Sequence, residues 1–199
     1  MSVAVITYDR GMSRWEPDAR GRLERAAVEL FVERGFEQTT VTQIAERAGL
    51  TQRTFFRYFA DKREVLFGGG AALQEFMVDA VVSAPGSAPP IDAVAAALDG
   101  AAGLLQERRE YSRQRMAIIA ANPELQEREL IKLTRLAAAI ADALRKRGVP
   151  DPAASLAAEA GTTVFRIGID RWHGEKPQRD LVDVIRDSLD ELKAVTAGK

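Results

Sequence analysis

The apolar residues of this chain recur at three- and four-residue intervals from end to end and nowhere alternate over a useful length. That period lines one stripe of a helix, while the two-residue period of a half-buried strand is missing. The expected fold class is therefore all-α. Over residues 18–35, Leu23, Ala26, Ala27, Leu30 and Phe31 share one face and Gly35 supplies a stop. Thr40 and Gln43 can form a capping box for a second, two-turn helix whose apolar face is Val41, Ile44, Ala45 and Ala48. Thr51 can cap a third helix through Phe59, and Asp61 with Glu64 opens a fourth at Lys62. Two short helices meeting at a turn of Gly49 and Leu50 make a helix-turn-helix.

The stretch SAPGSAPP at 83–90 is the clearest break. Helices are expected beyond it at 91–107, 109–121, 123–147, 153–173 and 179–196, the last with Leu181, Val184, Ile185, Leu189 and Leu192 on one stripe. The chain thus reads as an arm (1–16), a helix-turn-helix domain (17–67) and a larger helical domain (68–199), and 199 residues suffice for that.

Composition narrows the function classes. Hydrophobic residues at 46% and charged residues at 29% are those of a folded globular protein. The net charge is -1, so nucleic-acid binding would need a local basic patch. The absence of cysteine removes disulfides, thiolate metal sites and cysteine nucleophiles, and fits the cytoplasm. The opening MSVAVITYDRGMSRW lacks the basic start and long apolar run of a targeting signal, and no stretch reaches the ~20 apolar residues of a membrane span. One histidine, no Glu-x-x-His pair and no glycine-rich phosphate loop leave neither a metal, a cofactor nor an enzyme expected; Asp170 with His173 is the residual acid-base pair.

Residues 51–67, TQRTFFRYFADKREVLF, combine aromatic, cationic and hydrogen-bonding side chains in one short run. On a helix, Phe55 and Phe59 share a face and can anchor it, while Gln52, Arg53, Phe56 and Arg57 project elsewhere. Arginine can fork onto guanine, glutamine onto adenine, and a threonine or aromatic edge can meet a thymine methyl. Tyr58 and Lys62 suit backbone phosphates. Taken alone, such charges also fit a solvated helix face.

From Arg22 to Phe67 the sequence resembles the DNA-binding region of the TetR/AcrR family of bacterial transcriptional regulators. The resemblance rests on Leu30-Phe31, Gly35-Phe36, Thr39-Thr40-Val41, Ile44-Ala45, Ala48-Gly49, Tyr58-Phe59, Lys62 and Leu66-Phe67 in that order. It implies base or groove contacts from Thr42, Gln52, Arg53, Thr54 and Phe56, and phosphate contacts from Thr40, Arg57, Tyr58 and Lys62. It also implies a homodimer, a ligand-sensing C-terminal domain and an operator of double-stranded DNA. The family's fourth helix links the domains as a continuous lever, whereas here Gly68-Gly69-Gly70 predicts a hinge or local unwinding.

The larger domain is less legible. Candidate effector residues on inner helix faces are Phe76, Met77, Leu104, Leu105, Tyr111, Met116, Ile119, Leu133, Phe165 and Trp172, with Gln114, Arg115, Arg166, Asp170 and His173 as polar partners. The same residues also read as plain core, and His173 as a helix-end cap. Gly161 and Gly168, seven residues apart, together with the 181–192 stripe point to the last two helices packing against their copies about a two-fold axis. The reading is a ligand-responsive, homodimeric repressor released from a pseudo-palindromic operator by a small hydrophobic or amphipathic effector. The alternatives are a C-terminal domain that only dimerises or binds a protein partner, and a small helical enzyme. Arg10 and Arg14 could reach a minor groove from the N-terminal arm, or belong to a disordered tail.

Overall fold

The computed structural model describes residues 18–176 and 179–198. The arm with Arg10 and Arg14 lies outside them. Among the described residues there are nine α-helices and no strand. The chain begins with α1 (Ala19–Arg34), α2 (Val41–Arg47) and α3 (Gln52–Tyr58), followed by a 3-10 turn, Arg63–Phe67. It continues through α4 (Gly70–Ser83), α5 (Pro90–Leu105), α6 (Arg109–Ala120), α7 (Pro123–Lys146), α8 (Ala153–Gly174) and α9 (Leu181–Thr196).

Each short N-terminal helix is fixed by its cap. Thr40 Oγ1 accepts from Gln43 N–H while Gln43 Oε1 accepts from Thr40 N–H, so two donors that α2 cannot satisfy internally find partners. Thr51 Oγ1 accepts from Thr54 N–H at the head of α3, and Asp61 Oδ1 accepts from Glu64 N–H at the 3-10 turn. Gly49, at φ 67, supplies the left-handed residue between α2 and α3.

Two hydrophobic cores result. The first joins α1–α3 and the 3-10 turn through Leu23, Leu30, Phe31, Ile44, Phe55 and Phe59. It does not close at residue 67, because Ile118 and Ile119 of α6 and Leu125 of α7 are buried in it. The second joins α4, α5, α7, α8 and α9 around Met77, Leu98, Ile140, Leu144, Phe165 and Trp172. The glycine run is a break in α-helical bonding: the 3-10 turn ends at Phe67, Gly68 and Gly69 form a turn, and α4 begins at Gly70. The loop at 84–89 is held by Arg147, which donates to the carbonyls of Val81, Ala84 and Pro85.

Two expectations need correction. Gly161 faces Val94 of α5 and Gly168 faces Ile185 of α9, both within the same chain, and the stripe from Leu181 to Leu189 is buried in that same core. Periodicity identified a buried face but not whose side chains cover it. Secondly, Arg63–Ser83 does reach the length and composition of a membrane span, since the helical backbone of Gly68 and Gly69 carries the 3-10 turn on into α4. Its Val65, Leu66 and Phe67 are buried in the first core, and Met77 and Val81 in the second.

Candidate nucleic-acid interface

The third helix shows how seven residues can serve two purposes. Phe55 is fully buried and Phe59 nearly so, with ring centroids 5.3 Å apart, and together they seat α3 on α1 and α2. Phe56 meets Phe55 edge-on but is 51% exposed, and Gln52, Arg53 and Arg57 are exposed beside it. A bidentate amide, two guanidiniums and an aromatic edge thus lie on the outside of one short helix. Thr42 is exposed on α2, and Thr54 is half-buried with its hydroxyl engaged to Thr51.

The expected phosphate contacts flank this face. Thr40 is exposed at the head of α2, with its hydroxyl committed to the capping box. Arg57 Nη2 donates to Tyr58 Oη at 3.2 Å and its guanidinium stacks on the Tyr58 ring. Tyr58 is half-buried against the first core. Lys62 donates from Nζ to the Phe36 carbonyl at 2.7 Å, and the ammonium lies 4.1 Å from the centre of the Phe36 ring.

Several positioning groups gave no recognisable signal in the sequence. Arg47 of α2 is paired with Glu33 and Glu29 of α1. Arg22 of α1 donates to the Ala48 carbonyl at the end of α2, and a Cβ on Gly49 would stand 2.7 Å from its Nη2. Thr39, buried, ties the loop after α1 to the carbonyls of Leu30 and Gly35. The pairings of Arg47 and Arg22 link residues 14 to 26 positions apart, beyond the reach of any helical period.

The expected effector residues do not converge on one cavity. Met77, Leu105, Phe165 and Trp172 belong to the second core, whereas Tyr111, Met116 and Ile119 pack against or within the first. Phe76 leans on Gly100 and is partly exposed, Leu133 is half-buried, and Leu104 is exposed. Burial pushes the Tyr111 hydroxyl up to about 12, with the nearby Glu24 carboxylate adding to it. Arg115 is engaged with Leu66 and Glu129, Arg166 pairs with Asp170 on the surface of α8, and Gln114 bonds Glu110. His173 does not cap a helix: its Nε2 meets Ser112 Oγ of α6 at 3.0 Å, and burial holds its pKa below the ordinary value. One surface hollow lies between α5 and α9 around Asp99 and Arg186, and another between α1 and α2 around Arg22 and Arg47. None of the expected effector residues lines either.

An all-α chain whose helix-turn-helix presents a hydrogen-bonding, cationic face, followed by a larger helical bundle, is a DNA-binding regulator in architecture. The model of bacterial regulatory proteins of the tetR family matches residues 24–67, and that of the MftR C-terminal domain matches residues 88–197, more than half of the chain. The chain belongs to the TetR family. It is similar to the HTH-type transcriptional regulator TcmR of Streptomyces glaucescens, at 39% identity over 44% of this chain and 39% of that protein. It is similar also to MftR of Mycobacterium tuberculosis, named for mycofactocin biosynthesis, at 32% identity over 50% of each. These matches span half or less of the relatives' length. Among solved structures, Thermus thermophilus FadR, described as a TetR-family transcriptional repressor in complex with lauroyl-CoA, shares 27% identity at a TM-score of 0.53. The likeness covers 87% of this chain and 93% of that one.

Proposed function

We propose that this protein is a ligand-responsive transcriptional repressor that binds operator DNA as a homodimer. The observation that carries this reading is α3, with Phe55 and Phe59 locked into the core and Gln52, Arg53, Phe56 and Arg57 facing out. Base readout comes from Gln52, Arg53, Thr54, Phe56 and Thr42, and phosphate contact from Thr40, Arg57, Tyr58 and Lys62. Residues 18–67 form the DNA-binding domain, completed by α6, and the helices from α4 onward form the sensing and dimerising domain.

The dimer face we assign is the outer side of α8. Leu156, Ala160, Thr163 and Ile167 follow at helical spacing on the side away from Gly161 and Gly168, with Leu156 66% and Ile167 40% exposed. Two recognition helices held by a two-fold meet successive major grooves when ~34 Å apart, so the operator is a pseudo-palindrome.

The effector is hydrophobic or amphipathic. Support comes from the apolar interior around Met77, Leu105, Phe165 and Trp172, and from lauroyl-CoA in the complex of Thermus thermophilus FadR. Room for it requires the helices of the second core to separate, since the side chains there are packed against one another.

The test is binding to a fluorescent duplex copied from DNA upstream of the protein's own gene, over a salt series, for wild type and Gln52→Ala/Arg53→Ala. Binding that falls steeply with salt, with a slope near 0.9 per phosphate contacted, and that is lost in the double variant supports the reading. Failure to enrich any sequence from a genome-wide selection overturns it.

A further inference from the structure

The DNA-binding domain is joined covalently to the rest of the chain through Gly68-Gly69-Gly70, yet the strongest non-covalent grip on it comes from elsewhere. A Cβ at Gly69 or Gly70 would meet nothing within 4 Å, so these two positions are unbraced, while Gly68 before them is held against Glu24 and bonded by Arg20 of α1. Beyond that root α4 packs chiefly on α5 and α7.

The 3-10 turn just before the glycines is held on another side. Arg115 of α6 donates from Nε to the Leu66 carbonyl at 2.6 Å and turns its two terminal nitrogens to both oxygens of Glu129 on α7, at 3.2 and 2.8 Å. Its guanidinium also lies over the Phe67 ring. Both side chains of the pair are only 20% exposed, where such a fork is weakly screened. Alongside it, Glu64 of the turn accepts from Lys132 and Arg128 of α7, and Lys132 stands 5.5 Å from the centre of the same Phe67 ring. Arg63 reaches Glu124 at the head of α7 at 3.3 Å.

We propose that α6 and α7, through a clamp centred on Arg115, hold the orientation of the DNA-binding domain more firmly than the open glycines at the root of α4 do. Arg115 is a positioning residue in this scheme. A backbone carbonyl and an aromatic face of the turn and a carboxylate of α7 hold its guanidinium, so Arg115 of α6 joins three elements. A shift of α7 relative to α6 pulls on all of them together. The meaning of the clamp for regulation rests on the proposed function, but its existence does not.

The experiment measures the distance between two spin labels on the full chain, at Glu37→Cys in the DNA-binding domain and Lys146→Cys at the far end of α7, diluted with unlabelled protein. The chain has no cysteine of its own, so the labels are unambiguous. Neither DNA nor effector is present, so this test and the operator test fail independently. Wild type gives one narrow distribution. Arg115→Gln roughly doubles its width by releasing alternative orientations, at unchanged helicity, and Gly69→Ala/Gly70→Ala leaves it as in wild type. Raising salt from 0.15 to 1 M, which shortens the screening length from about 8 to about 3 Å, broadens the wild-type distribution in the same direction. Should Arg115→Gln lose helicity, Glu129→Gln and Glu64→Gln carry the test. The proposal is overturned if the clamp variants keep the wild-type width, or if the alanine pair shifts the distribution as much as Arg115→Gln does.

Discussion

Gly68 lies so close against Glu24 that a methyl group on the glycine would overlap the carboxylate oxygen Oε1 and stand 3.0 Å from the Phe59 ring edge. The Gly68 backbone is helical, so the requirement there is for room and not for an unusual dihedral. Arg20 seals the contact by donating to the Gly68 carbonyl at 2.5 Å while pairing with Glu24.

The three glycines should therefore answer differently to alanine. Gly68→Ala must push Glu24 out of place and costs ~1–3 kcal/mol as an overpacking change. Gly69→Ala and Gly70→Ala meet open space and each gains ~0.4–1 kcal/mol by restricting the unfolded chain. Thermal unfolding of the three single variants, followed by circular dichroism, distinguishes them; equal behaviour would contradict the contact.

Glu24 predicts a pH dependence of definite sign. Burial holds its carboxyl above the ordinary 4.5, against the pull of Arg20 and Arg108. A carboxyl raised in the folded state stabilises while protonated, so its contribution is complete below 4.5 and is lost as pH rises through the raised value. Glu24→Gln should melt higher than wild type at pH 7, and the difference should shrink to nothing in acid.

Glu64 runs the other way. Burial alone would raise it, but Lys132 and Arg128 hold it below the ordinary value. Its contribution is present above 4.5 and is lost as pH falls through the depressed value. Stability of wild type should therefore fall on acidification more steeply than that of Glu64→Gln, as measured by urea midpoints across the range.

Neighbouring phenylalanines should separate stability from recognition. Phe55→Ala empties a fully buried site and costs ~3–5 kcal/mol, whereas Phe56→Ala stays within ~0.5 kcal/mol because the ring is half outside. Phe56→Ala should still weaken operator binding. Denaturant midpoints and duplex titrations on the two variants check both statements.

For the proposed dimer, Leu156→Glu/Ile167→Glu should yield folded monomers, because both side chains lie on the outer face of α8. Gly161→Ala should instead lower stability by ~1–3 kcal/mol and leave the oligomeric state alone, since it crowds Val94 within one chain. Sedimentation velocity at matched concentrations reads both.

The helices were legible because their apolar spacing and caps are local. Thr40 with Gln43, Thr51 and Asp61 mark their helices within three residues, and each cap is present in the structure. The division of labour on α3 could be read the same way, as Phe55 and Phe59 sit one turn apart with Phe56 between them. The larger C-terminal part resisted for a matching reason. Whether Gly161 meets Val94 or another molecule depends on where a helix 67 residues away comes to rest, and no periodicity encodes that. Arg115 had the composition of an effector partner, but its position opposite Leu66 and Glu129 depends on the packing of three elements.

Lys62 reaches the surface already immobilised, its ammonium bonded to the Phe36 carbonyl and resting on the Phe36 ring. A free lysine loses up to ~2 kcal/mol of rotamer freedom when it is fixed against a partner. Here that loss falls on folding instead of binding. One of its three donors is used internally, which leaves two for the proposed phosphate contact and a charge whose position is already set by the fold.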